Sequence, residues 1–130
     1  LPHLRRLTPY ETRNYLLLDR TTRRNLELVE RIHPEESGPV RTGTLLSVLD
    51  RTCTPAGARL LRRWLLAPLL DVPAITERHD AVEELFGMDL TGLQQLLSKV
   101  GDLERVASRI GLERANARDL VALAGWLAVA

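Results

Sequence analysis

Between Gly43 and Leu69 the chain reads GTLLSVLDRTCTPAGARLLRRWLLAPL, a stretch that starts a helix, stops it and starts another. Thr44 to Asp50 carries Leu45, Val48 and Leu49 on one side, the spacing of a short amphipathic helix. Thr54-Pro55 then supplies a capping hydroxyl followed by proline at the first helical position, where no amide hydrogen is required. In the helix that follows, Leu60, Leu61, Trp64 and Leu65 are expected to face inward. Arg59, Arg62 and Arg63 take the other side, until Pro68 ends the helix by removing a donor and crowding the preceding turn.

The rest of the chain is punctuated in the same way. Before Asp19 it is irregular, with Pro2 and Pro9, and Tyr15 to Leu18 is a short apolar run that fits a strand or an extended edge. Asp19 or Thr21 is placed to cap a helix with Leu26, Val29 and Ile32 at three-residue steps, ending by His33; residues 34–43 read as a surface loop. Asp71 precedes a pattern with Ile75, Val82, Leu85 and Phe86 as its apolar set and Gly87 as its stop, and Leu93, Leu96, Leu97 and Val100 form another. Asp102 caps a helix with Leu103, Val106, Ala107 and Ile110 inward and Gly111 at its end. Asn116 to Asp119 approximates a capping box for a last helix carrying Leu120, Leu123, Ala124 and Leu127. With no stop signal before Ala130, that helix is expected to be the beginning of a longer one. The fold class this implies is mainly α: a multi-helix core domain of about six helices with a short extended segment near the N-terminus.

A chain of 130 residues is one domain by length and buries about two thirds of its unfolded surface. At 45% hydrophobic and 27% charged it is not a disordered composition, and no apolar run approaches the ~20 residues that span a bilayer. Arg5 and Arg6 are not followed by the apolar stretch of a secretory signal, so the chain is expected to be cytoplasmic, or to reach DNA from the cytoplasm, with no membrane partner. The single Cys53 cannot form an internal disulfide and reads as a small buried residue. Residues 1–63 hold twelve arginines against seven acids, and residues 64–130 hold six basic groups against ten acids. The first half therefore suits a phosphate-bearing neighbour and the second does not.

Little in the pattern carries chemistry. A phosphate-binding loop needs Gly-x-x-x-x-Gly-Lys-Ser/Thr, and the only lysine, Lys99, has no such loop before it. One Phe, two Tyr and two Trp are too few for a base-stacking platform. His79 and Glu83 lie one turn apart, but a metal needs three or more convergent ligands, so they read as a polar i, i+4 pair; Asp80 and Glu84 read as a solvated face. No spacing resembles a catalytic triad, and no catalytic, cofactor-binding or metal-binding residue is assigned. The candidate functional surface is basic: Arg59, Arg62 and Arg63 share one face of the helix after Pro55, with Arg51 nearby. Two readings of it stay open, a contact to DNA or a neighbouring domain and a merely solvated helix face.

Gly43 to Leu69 also resembles, in wording, the MutS DNA mismatch-repair proteins, and the likeness extends on both sides. It includes Leu17-Leu18-Asp19, Thr22-Arg23-Arg24-Asn25-Leu26-Glu27-Leu28 and Asp80-Ala81-Val82-Glu83-Glu84-Leu85. Val100-Gly101-Asp102-Leu103-Glu104-Arg105 and Asn116-Ala117-Arg118-Asp119-Leu120 complete it, in the family's order. The resemblance implies an irregular lead-in over residues 1–18, a helical core domain over 19–100 and the start of lever helices over 101–130. It further implies a segment with no chemistry of its own that links an ATPase domain to a clamp on DNA. ATP and Mg would belong to the full-length protein. So would duplex DNA, the other domains of the same chain, a dimer partner and a downstream mismatch-repair factor. The family's mismatch reader is Phe-x-Glu, which Phe86-Gly87-Met88 does not match. Two alternatives accompany this reading: the core of a MutS-like paralogue acting on recombination or branched DNA, and an autonomous helical DNA-binding or adaptor module.

If the segment is a core whose partner strands lie elsewhere, the isolated chain will be only moderately stable or will self-associate. A monomer with a steep cooperative melt and no binding of a dye that fluoresces on apolar surface would contradict this.

Overall fold

Side-chain caps start six of the helices in the computed structural model, which describes residues 12–32 and 43–128. Asp19 accepts the Thr22 N–H at 2.6 Å and opens α1 (Arg20–Asn25). Thr44 accepts the Ser47 N–H at 3.1 Å for α2 (Leu45–Leu49), and Thr54 accepts the Gly57 N–H at 3.0 Å for α3 (Pro55–Leu66). Asp71 accepts from Ala74 at 3.2 Å ahead of α4 (Val72–Leu85), and Asp102 from Arg105 at 3.2 Å ahead of α6 (Leu103–Gly111). Asn116 and Asp119 exchange side chain-to-backbone bonds of 3.0 and 2.9 Å, a complete capping box for α7 (Ala117–Leu127). Only α5 (Thr91–Leu97) lacks a side-chain cap bond; Asp89 accepts the Thr91 N–H at 2.9 Å just before it. Each cap occupies amides that a first helical turn leaves without partners. A single 3-10 turn, Thr12–Asn14, precedes α1, so the described residues are mainly α.

The chain divides into two compact units. One contains α1, α2, α4 and α3 from Ala58 onward; the other contains α5, α6, α7 and residues 52–57. In the first, Leu28, Val29 and Leu46 are buried, with Leu18, Leu61, Leu65 and Leu66 packed against them. The extended run expected over Tyr15–Leu18 is reduced to one antiparallel bridge, Tyr15 to Leu69. Flanking it, Leu16 N–H donates to the Pro68 carbonyl at 2.8 Å and Leu70 N–H to the Asn14 carbonyl at 2.9 Å. Proline at 68 therefore ends α3 and also offers an acceptor to the incoming chain.

The expected helix from Asp19 toward His33 ends at Asn25. Glu27 adopts a left-handed φ of 46°, and its carboxylate accepts the Ile32 N–H at 2.8 Å, so the chain turns where the periodicity continued. Leu26 is consequently 57% exposed, whereas Val29 is buried. The inward face of α3 is also turned from the expected one. Leu61, Leu65 and Leu66 meet the core, while Leu60 and Trp64 lie on the exposed side, Trp64 at 39% with the Arg78 guanidinium 4.0 Å from its ring centroid. Trp64 stacks under a cation and is not a core residue. Cys53 is half-buried, not buried. Val82, Leu85 and Phe86 of the α4 pattern are exposed, as are Leu93, Leu96 and Leu97 of α5. The expected end of the first helix at His33 and most of the 34–43 loop lie outside the described residues.

In the second unit α6 packs on α7. Val106 is buried there, and Arg109 bonds Asp119 at 2.8 Å across the pair. A Cβ placed on Gly101 would overlap the Trp126 indole, so close approach of ring and backbone requires glycine. The reversal after α6 places its positive φ, 57°, on Glu113 and not on Gly111, the residue expected to stop the helix.

Leu46→Ala is expected to cost about 2–4 kcal/mol in denaturant melts, because it hollows the buried cluster, whereas Trp64→Ala should cost only about 1–2 kcal/mol. A larger loss at Trp64 than at Leu46 would contradict this assignment of the core. Gly101→Ala should destabilise by about 1–3 kcal/mol through overpacking.

Candidate functional site

A strongly basic concavity lies in the first unit. Arg20, Arg23 and Arg24 occupy i, i+3 and i+4 of α1, a spacing that puts them on one face. Arg62 comes to the same hollow from α3, and the four line a cavity of about 370 Å³. Among the described residues Glu30 is the one carboxylate on its wall, and Val29 and Leu66 contribute apolar surface. The Nε of Arg23 is sequestered from solvent without a hydrogen-bond acceptor. Such a donor is costly to leave unmatched.

The basic triplet Arg59, Arg62 and Arg63 keeps its i, i+3 and i+4 spacing on α3. Arg62 is half-buried and lines the hollow; Arg59 and Arg63 are exposed on α3 and are not part of the lining. Arg51 follows α2, exposed, with a guanidinium 3.4 Å from the Asp50 carbonyl. Arg20, Arg23 and Arg24 are not among the candidate site residues that the sequence suggests. Their spacing behind the Asp19 cap was the available signal, and it was obscured because the periodicity there suggested a longer helix. Asp19 supports the site from outside. Its carboxyl is held below the ordinary carboxylate range by side-chain and backbone hydrogen bonds from Thr22, with Arg23 nearby.

The other polar candidates are not gathered. His79, Asp80, Glu83 and Glu84 are all exposed along α4, and among the described residues no three His, Cys, Asp or Glu side chains converge as a metal set would. Among those residues no helix is long and apolar enough to cross a membrane. In chemical terms the hollow is suited to holding an anionic group by charge-assisted, bidentate bonds.

A family model described as MutS domain III matches residues 21–130. The DNA mismatch repair protein MutS of Symbiobacterium thermophilum is 50% identical over 125 residues, covering 95% of this chain and 14% of that protein. The protein of the same name from Thermosynechococcus vestitus is 48% identical over 122 residues, covering 92% of this chain and 14% of its own length. That of Pelotomaculum thermopropionicum is 45% identical over 130 residues, covering 98% and 15%. The chain thus spans about one seventh of these relatives.

Since α1 carries three of the four arginines, Asp19→Ala should loosen it and speed amide exchange at Arg23. The Asp19 contribution requires the carboxylate. Because the folded-state value is depressed, the contribution is complete above the ordinary aspartate range and is lost as pH falls through the lowered value. Exchange at Arg23 that is unchanged in the variant and at acid pH would show that α1 does not depend on this cap.

Proposed function

The chain belongs to the MutS domain III family, and from that premise we propose that it is the helical core, with the start of the lever helices, of a longer DNA mismatch-repair protein. In this reading it joins an ATPase domain, where ATP and Mg act, to the clamp that closes on duplex DNA, and it performs no chemistry itself. The observation that carries the reading is the match over residues 21–130 to relatives of which this stretch is only 14–15%. The names of those relatives favour mismatch repair over a paralogue acting on branched DNA. Exposed apolar side chains on α4, α5 and α7, with Phe86 at 87% and Val121 at 73%, favour a segment covered by other parts of a larger protein over an autonomous module.

The α6–α7 pair suits mechanical coupling. Asp119 receives Arg109 from α6 while closing the capping box of α7, and Trp126 lies against Gly101 just before α6. Two helices tied at such points move together, so a displacement imposed on one is carried by the other. Dimerisation of the full-length protein and a downstream repair partner belong to the same proposal.

In the full-length protein, Asp119→Ala should cost about 1 kcal/mol of stability, since the ion pair is partly exposed. It should slow ATP-driven release from a mismatched duplex several-fold while nucleotide-free mismatch binding and basal ATP hydrolysis persist. An unchanged release rate would remove the α6–α7 pair from the coupling path. Fluorescence anisotropy of the 130-residue chain with matched and mismatched duplexes over a salt series separates the autonomous module. Salt-sensitive binding abolished by replacing Arg59, Arg62 and Arg63 would favour that reading over the core.

A further inference from the structure

We propose that the hollow between α1 and α3 is a carboxylate-recognition site that receives an acidic side chain from another segment of the same longer protein. The proposal deepens, and rests on, the reading of this chain as a core segment.

Four arginines from two helices line one cavity of about 370 Å³, with Glu30 the one carboxylate among the described residues of its wall. Among the described residues none of the four is ion-paired, and the Arg23 Nε is buried without an acceptor. Like charges gathered in this way repel one another, so the arrangement is stabilised when an anion enters. The class of anion follows from the side chains. All four cations are arginines, whose planar forks match a two-oxygen acceptor in bidentate fashion, where lysine would act as a point charge.

The wall decides between a protein carboxylate and a nucleic-acid strand. A phosphodiester backbone brings a succession of charges and is best met by an open basic stripe. Here the basic groups line a hollow, Glu30 would oppose the phosphates on either side of a bound one, and Val29 and Leu66 offer apolar surface to the methylenes of an acidic side chain. The matched relatives are about seven times longer than the aligned stretch, so most of such a protein lies outside it and is available to supply the acid.

The test uses the full-length protein with a photo-crosslinking residue at one of two lining positions, Arg24→p-benzoylphenylalanine or Arg62→p-benzoylphenylalanine. Each is irradiated with and without a mismatched duplex and mapped by mass spectrometry. Two positions are used so that one misfolded variant does not remove the test. The expected result is a crosslink within one polypeptide to a peptide carrying Asp or Glu next to the attachment point, formed with or without DNA. Changing that acid to Arg should then restore ATP-driven mismatch release to an Arg62→Glu protein that has lost it by several-fold. Crosslinking to DNA, to a second copy, to a peptide without acids, or to nothing in folded protein would overturn the proposal. ATP-driven release by the unsubstituted protein is measured alongside. Its absence would overturn the core reading, whatever the crosslinks show.

Discussion

Two backbone hydrogen bonds organise the first unit: Leu45 N–H to the Glu27 carbonyl at 3.1 Å and Leu46 N–H to the Leu28 carbonyl at 2.9 Å. The first turn of any helix leaves its amides without intrahelical acceptors, and with Thr44 holding the Ser47 N–H, these bonds complete the start of α2. The acceptors are available only because α1 ends early and Glu27 turns the chain through a left-handed conformation. The same turn sets Leu28 and Val29 into one buried cluster with Leu46, so a local satisfaction of donors and the apolar packing of the unit are achieved by one piece of backbone. Thr44 is almost wholly buried at this junction, where a cap hydroxyl with a bonded amide replaces what would be an unmatched polar group.

The brevity of α1 has an electrostatic consequence. A helix continuing toward His33 would carry Val29 and Glu30 onward in helical register; the turn instead brings them to the hollow that α1's arginines and Arg62 line. The arginine on α3 belongs to this set because α3 is rotated so that Leu61, Leu65 and Leu66 face the core. That rotation leaves Trp64 outward, where Arg78 lies over its ring. Packing of three leucines thereby determines which arginine joins the concavity and which aromatic ring remains at the surface.

In the second unit, Asp119 is the node. It accepts the Asn116 backbone N–H, donates its own N–H to the Asn116 side chain, and accepts the Arg109 guanidinium. One residue thus starts α7 and ties it to α6. Neighbouring apolar side chains, including Leu120, Val121 and Leu127, remain exposed, which supports the proposed place of this stretch within a larger protein. They accord with a stretch that makes up about one seventh of the MutS relatives it matches.

The helical character, the caps at Asp19, Thr54, Asp102 and Asn116 and the stops near Pro68 and Gly87 were legible in the sequence, because capping and breaking act over three or four residues and depend on residue type. The family was legible too, from its ordered blocks of wording. Which stripe of a helix is buried was not, since Leu60 and Trp64 satisfy the same periodicity as Leu61, Leu65 and Leu66, and only the neighbour decides between adjacent faces. The end of α1 was hidden for a similar reason: Leu26, Val29 and Ile32 keep helical spacing, yet Glu27 leaves the helix to supply carbonyls to α2. The arginine hollow followed from those two tertiary choices. Sequence by itself determined where most helices begin and which family the chain belongs to, whereas long-range packing and hydrogen bonding decided which charges stand together.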